Sequence, residues 1–299
     1  MNILVTYAGG IAGQSVIKMI RSSKYSKDIK IFGLDCDKNA AGLQWVDYSY
    51  VCQPSNSNNY KNEILELIES EGIDLILPTG EEDLTFLSNL KQSYMMNEKI
   101  ISLCQDKFKF YEHYKNSYDK DIPFTSINST DFKDFPFITK PRVGRGSRGF
   151  KIITSSNDLL SLKSEDLLFQ EYLPGQEWTI DCLVTKNHKL IIPRKRLNIK
   201  GGNSTCGEIE LNEHIINFVS NFIDKEGYSG PLCIQMIEDS KGYPKLTEIN
   251  PRFGGGSVFS MLAGVNFIDY ILSELKNKEI DFKKPKEIKV VRYWTEIVL

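Results

Sequence analysis

Residues 2 to 78 alternate short apolar runs with amphipathic stretches, and this rhythm constrains the fold more than any other feature of the chain. Residues 2 to 7 read as a buried strand, after which Gly9, Gly10 and Gly13 lead into an amphipathic helix around Gln14 to Ser22. Lys30 to Asp35 (KIFGLD) is the next strand, Val46 to Cys52 a third and Asp74 to Pro78 (DLILP) a fourth. Between the last two, Tyr60 to Ser70 reads as a helix with Ile64, Leu67 and Ile68 on one face. Strands alternating with helices make βαβ units and a parallel sheet. Ligands of such sheets sit beyond the carboxyl ends of the strands, which puts the Gly9 to Gly13 turn, Asp35 and Thr79-Gly80-Glu81-Glu82 on one rim.

The pattern changes after about residue 105. A Lys- and Tyr-rich helix runs to Tyr118, Pro-bounded β segments follow at Phe135 to Pro141 and Phe150 to Thr154, and further strands begin at Leu168. The expected fold class is α/β followed by α+β, and 299 residues suit two domains at roughly 150 residues each. The expected division is 1–105 and 106–299, the latter with a lid over about 121–173 and a metal- and substrate-binding part over about 174–299.

Charge and cysteine usage exclude several classes. Lys plus Arg number 37 against 39 for Asp plus Glu, a net charge of −2, without the basic excess of a nucleic-acid-binding domain. The six cysteines form no CxxC pair and no dense framework, so they read as reduced thiols in a cytoplasm. The first residues lack the basic start of a signal peptide, and no apolar run reaches the length of a membrane span.

Five groups of residues are candidates to carry chemistry. A Gly-rich turn after a strand can hold a dinucleotide phosphate, but GGIAG is not GxGxxG; the plainer reading is a tight turn that packs helix on strand. In FPFITKPRVGRGSRGFKII, residues 135–153, a strand bearing Lys140 enters a loop with Gly144, Gly146 and Gly149, a hairpin with a glycine-rich flap. Such a flap closes over an anion, Arg142, Arg145 and Arg148 add charge, and Lys140 projects a cation from a rigid strand, which suits a triphosphate. An exposed basic turn without a ligand is the alternative. In LLFQEYLPGQEWTIDC, Gln170, Glu171 and Glu177 surround a Pro-Gly turn. A nucleobase amino group wants an acceptor and a ribose a carboxylate, so Glu171 and Glu177 can serve one each, or be solvated edge residues.

Pro231 to Glu238 and Pro244 to Asn250 read as an antiparallel hairpin turning at Asp239 to Gly242. Alternation puts Glu248, Asn250 and Arg252 on one face with Gln235 at the same level. Oxygen donors of this kind suit Mg²⁺ shared with phosphates, and the arginine suits a phosphoryl group in transfer. Arg194 and Arg196 in IPRKRLNIK share one side of a strand and offer guanidinium forks to a substrate carboxylate, Arg196 first, unless the strand is merely exposed and basic. The Gly254-Gly255-Gly256-Ser257 turn is placed to shape the same pocket. His113, His188 and His214 are scattered, which gives no support to Ser-His-Asp chemistry.

The ordered set Lys107, Lys140, the Gly144 to Gly149 loop, Gln170-Glu171-Tyr172-Leu173, Glu177, Gln235 and Glu248-Ile-Asn-Pro-Arg252 resembles the ATP-grasp superfamily over essentially the whole chain. It is most similar to the branch of the carbamoyl-phosphate-synthase large subunit and biotin carboxylase. The resemblance implies a Rossmann-like pre-ATP-grasp domain at the N-terminus, then an ATP-grasp fold with a glycine-rich lid. It implies ATP held by Lys107, Lys140, Gly144, Gly146, Ser147, Gly149, Gln170, Glu171, Tyr172, Leu173 and Glu177. One or two Mg²⁺ or Mn²⁺ ions would sit on Gln235, Glu248 and Asn250, with Arg252, Lys140, Arg196 and Arg194 in the catalytic set. Gln235 stands where many members have a carboxylate. The implied activity is ATP-dependent phosphorylation of a carboxylate and its coupling to an amine, releasing ADP and phosphate, with small-molecule substrates and a homodimer as the expected assembly. The alternatives are carbamoyl-phosphate- or carboxylase-type phosphorylation of bicarbonate or carbamate, and a non-catalytic ATP-binding regulator.

Overall fold

A computed structural model describes residues 1–144, 146, 148–162, 166–293 and 295–298. Its N-terminal part contains β1 (Asn2–Thr6), α1 (Ile11–Arg21), β2 (Lys30–Asp35), β3 (Tyr48–Val51), α2 (Tyr60–Ser70) and β4 (Leu75–Leu77). The four strands form a parallel sheet in the order β3-β2-β1-β4. Helices cover both faces, so β1 and β2 are apolar almost throughout rather than alternating. Leu4, Phe32 and Ile76 pack on the α2 side with Ile64, Leu67 and Ile68, while Ile3, Val5 and Leu77 join the core beneath α1.

The glycines after β1 are there for space. A Cβ on Gly13 would lie 2.3 Å from the Tyr7 carbonyl oxygen, and one on Gly9 would lie 2.4 Å from Ala40 Cβ. Asp35, on the expected rim, accepts the Gly9 and Asp37 backbone N–H groups. The tight-turn reading accounts for these contacts. The helix itself begins at Ile11 rather than near Gln14, because Gly10 already supplies the extended N-cap.

A connecting helical segment follows: α3 (Leu84–Leu87), α4 (Glu98–Gln105) and α5 (Lys107–Tyr114). Asp106 caps α5 by accepting from Phe108 and Lys109 N–H. This helix ends at Tyr114 and not at Tyr118, whose ring is nonetheless buried against Phe218 and Phe222. The apolar pattern therefore outlasts the helix.

The lid sheet has β5 (Thr125–Ser126), β6 (Phe137–Pro141), β7 (Lys151–Ile153), the short α6 (Ser156–Leu160) and β8 (Leu167–Glu171), in the order β5-β8-β6-β7. The remainder is one sheet in the order β13-β12-β9-β10-β11-β14. It comprises β9 (Glu177–Val184), β10 (Lys189–Lys200), β11 (Asn203–Ile209), α7 (Glu213–Glu226), β12 (Gly230–Glu238), β13 (Pro244–Asn250), α8 (Ser257–Leu262), α9 (Phe267–Leu275) and β14 (Lys289–Val291). α7 is bounded by an Asn212 cap at one end and Gly227 at φ 71° at the other. Its Ile215, Val219 and Phe222 pack on β9 and β12 with α4 and α5. The helices α8 and α9 pack under α1, which ties the large sheet to the N-terminal one. No helix among the described residues is long and apolar enough to cross a membrane.

Candidate active site

The hairpin β12–β13 builds the floor. Its register sets Gln235 opposite Glu248 and Cys233 opposite Asn250, which brings one carboxylate and two amide side chains to one level. The chain then turns, and Arg252 follows beyond the strand. These four residues line a cavity of about 350 Å³ together with Arg194 and Arg196 of β10. Gly146 and Arg148 of the flap close one side, and Thr79, Glu81 and the start of α1 close another. The rim read from the N-terminal sheet thus meets the floor read from the hairpin.

Arg252 is pinned from three sides. Its guanidinium pairs with Glu81, donates to the Phe253 carbonyl at 2.9 Å and approaches Asn250 Oδ1 at 3.5 Å. Burial works against its charge, but Glu81, Cys233 and Glu248 together outweigh it and hold its pKa above the ordinary value. Its Nε remains buried without a hydrogen-bond partner, as does Nε of Arg292, another residue of the cavity wall. Buried donors left unpaired cost free energy, and an anion in this cavity would satisfy them.

The sequence assigned Arg194 to an open carboxylate-binding role, and here the structure differs. Arg194 is 2% exposed, donates through Nε to Asp181 at 3.3 Å and through Nη1 to Ser204 at 3.1 Å, and lies over the Phe259 ring. A Cβ on Gly256 would sit 2.0 Å from Arg194 Nη2, so the glycine turn shapes the pocket by leaving room for this guanidinium. Part of its charge is committed to Asp181, whose own pKa is raised by burial despite Arg194 beside it. Arg196 pairs with Glu177 and also donates to Ser204 and the Gly202 carbonyl. The ribose candidate and the acceptor candidate therefore hold one another. Neither strand position is an exposed basic patch.

The remaining expected residues cluster beside the lid. Lys140 donates to Gln170 Oε1 at 3.0 Å. Burial pushes its pKa down to about 8; Glu248 opposes the fall and Lys107 adds to it, so all three groups share one field. Lys107 at the start of α5 donates to the Gly144 carbonyl at 2.8 Å. Gly144, Gly146 and Gly149 have φ of 147°, 64° and 74°, backbone that side chains resist. The flap rests on the β10–β11 turn, where a Cβ on Gly202 would be 2.9 Å from Gly146. The Glu171 carboxylate is taken by Lys245 at 2.8 Å and by the Phe124 N–H at 3.2 Å, and Tyr172 and Leu173 follow the end of β8. Ser147 and Arg145 lie outside the described residues.

Sequence reasoning missed Asp181 and Arg292. Asp181 had a signal, a carboxylate inside the apolar run of β9 that needs a buried partner. Arg292 had none, since only the pairing of β14 with β11 brings it to the cavity.

Glu248 with two amide oxygens is a hard-donor set that fits Mg²⁺. Among the described residues no cluster of three or more His, Cys, Asp or Glu side chains could hold a metal, so the protein supplies few charged ligands and phosphates would complete the shell.

Two family models match the chain: "PylC-like, N-terminal domain" over residues 3–106 and "ATP-grasp in the biosynthetic pathway with Ter operon" over residues 163–297. A tyramine–L-glutamate ligase of Methanocaldococcus jannaschii is 24% identical over 76% of this chain and 70% of its own. A D-alanine–D-alanine ligase of Petrotoga mobilis is 28% identical over 58% of this chain and 67% of its own. The biotin carboxylase domain of 2-oxoglutarate carboxylase from Hydrogenobacter thermophilus, crystallised with MgADP, ADP and bicarbonate, superposes with a TM-score of 0.74. That match is 16% identical and covers 95% of this chain and 71% of the other. The chain carries an ATP-grasp domain behind a PylC-like N-terminal domain. Both sequence relatives are ligases.

Proposed function

We propose that the cavity over β12–β13 is where a small carboxylic acid is phosphorylated by ATP before an amine takes the acyl group. The carrying observation is the meeting of Gln235, Glu248, Asn250 and Arg252 in one cavity with the flap and two unpaired buried guanidinium N–H groups. Glu248, with Asn250 and Gln235 assisting, would hold one Mg²⁺ or two; when bound, the ion screens phosphate charge. Lys140, Lys107 and the Gly144–Gly149 flap are assigned to the phosphates. The Gln170–Leu173 hinge is assigned to the adenine and Glu177 to the ribose, which requires Glu177 to share or release Arg196.

The chemistry balances in two steps. A carboxylate oxygen attacks the terminal phosphorus, an O–P bond forms, and the bond to ADP breaks with its electron pair on ADP. The amine nitrogen then attacks the acyl carbon, the C–O bond to phosphate breaks, and phosphate leaves as HPO₄²⁻. An entering ammonium thereby gives one proton to the phosphate and one to water. Arg252 and Arg292 supply the fixed positive charge near the transferring group, and the cavity supplies the positioning on which phosphoryl transfer depends.

The test is ADP release with Mg-ATP against paired pools of small carboxylic acids and amines, with Glu248→Ala as blank. Release that needs both pools supports ligation. Release with bicarbonate alone would replace it with carboxyl-phosphate chemistry.

A further inference from the structure

The cavity over the β12–β13 floor gathers more positive charge than the protein itself neutralises. Among the described residues its lining includes Arg148, Arg194, Arg196, Arg252 and Arg292. Arg252 pairs with Glu81, Arg196 with Glu177 and Arg194 with Asp181. Glu248 shares the field of Lys140 and is assigned to the metal, and the exposed Arg148 belongs to the flap over the phosphates. Arg292 is left over: it forms no ion pair among the described residues, and its Nε is buried without a hydrogen-bond partner.

The same residue is held in place. Its backbone N–H donates to the Thr205 carbonyl at 2.8 Å, and its Nη2 donates to the Gly255 carbonyl. Its guanidinium lies 5.0 Å from the centre of the Phe259 ring, and that of Arg194 lies 5.0 Å from the same centre. Two cations thus crowd one ring, and Asp181 pairs with only one of them. Burial lowers the Arg292 pKa, Arg194 lowers it further, and Asp181 opposes both. A planar fork with an unused N–H, fixed beside a second guanidinium, is a receptor for a carboxylate. Its place in the fold is equally telling. Glu248 and Asn250 stand on β13 and Arg292 follows β14, and these strands are the two opposite edges of the large sheet. The cavity is therefore anchored at one end by the metal set and at the other by Arg292.

We infer that the acid substrate is a dicarboxylic acid, phosphorylated on one carboxylate over β12–β13 and held by the other at Arg292, with Arg194 beside it. The inference rests on the ligation reading for the first carboxylate, whereas the second needs only the cavity. One carboxylate does not serve both ends. Clamped at Arg292, its oxygens face the fork, while the reacting carboxylate must present an oxygen to phosphorus beside Glu248, Asn250 and Arg252. The charge of Arg292 still adds to the field over the floor, but its particular work is to choose the acid. An uncharged group at that end would leave the Arg292 Nε buried and unpaired, a penalty that discriminates against monocarboxylic acids. Two anchors also fix which carboxylate of the acid meets the phosphate.

The experiment is calorimetric titration of the protein, in the presence of Mg-ADP, with succinate and glutarate and with the monomethyl ester of each, which nearly keeps the shape and removes one charge. At least one dicarboxylate should bind, about tenfold or more tighter than its half-ester, the size of a lost charge-assisted contact. In Arg292→Gln the gap should close to within about threefold, and Arg292→Lys, which keeps the charge without the fork, should leave part of it. The comparison of acid with half-ester on the wild-type protein needs no variant and decides the matter even where Arg292→Gln fails to fold. Equal binding of acid and half-ester, binding of none of the four, or an undiminished gap in Arg292→Gln overturns the assignment. The dicarboxylate that binds is then supplied with Mg-ATP and hydroxylamine. An acyl hydroxamate supports both readings. Its absence counts against ligation alone, while the titration still decides what Arg292 receives.

Discussion

Glu248 is the residue on which the metal assignment stands, because it is the only carboxylate in the set with Gln235 and Asn250. Glu248→Ala should lower ADP release by at least about a hundredfold, as loss of a main electrostatic group in an active site does. Nucleotide-free melting of the variant should stay near wild type. A fully active variant removes the assignment. Lys140 makes a pH-dependent prediction. With its pKa lowered to about 8 it is charged below that pH and neutral above, so ATP affinity should fall from about pH 7 to about pH 9. Lys140→Met should bind ATP weakly and without this slope, as a nucleotide titration across that range would show. Arg194 shows where single residues stop being legible. Its spacing with Arg196 is readable, but its partner Asp181 lies on the neighbouring strand β9, and only the sheet brings the two together.

At the scale of elements, period and turn chemistry carried most of the information. The β12–β13 hairpin was readable because Asp239 and Gly242 mark its turn and the alternation of Glu248 and Asn250 fixes its face. The strands β1 and β2 were readable because both faces are buried and their runs are almost wholly apolar, whereas β3 is a largely exposed edge. The end of α5 was not, since Tyr118 is buried just beyond it and extends the pattern without extending the helix. The lid is the element expected to move. Its own apolar cluster is small, built on Phe137, Ile153 and Phe169, and the flap meets the rest of the molecule where Gly146 approaches Gly202 and where Lys107 donates to the Gly144 carbonyl. Amide exchange at Gly144, Gly146 and Gly149 should slow when Mg-ATP is added. Unchanged exchange would contradict a closing flap.

At the scale of the molecule, the site exists only where two sheets meet. Arg252 follows the large sheet and Glu81 follows β4, and their ion pair spans the cavity between them. The Ser15 hydroxyl donates to the Gly255 carbonyl at 2.8 Å across the same seam. Glu81→Gln leaves a largely buried guanidinium without its counter-charge and should cost about 3 kcal/mol, seen as a fall of about 5 °C in Tm. A Tm within one degree or so of wild type would show that the pair contributes little. Arg292 belongs to this scale too, since nothing near it in the sequence announces a site, and only the β11–β14 pairing delivers it.

The central claim is that ATP activates a carboxylate as an acyl phosphate. The most direct test supplies the acid, once the pooled assay has found it, with ¹⁸O in both carboxyl oxygens, then weighs the phosphate released during coupling. One heavy oxygen in each phosphate is the expected result, since the acid's oxygen leaves on phosphorus. Phosphate carrying only light oxygen would mean that the carboxylate is never phosphorylated.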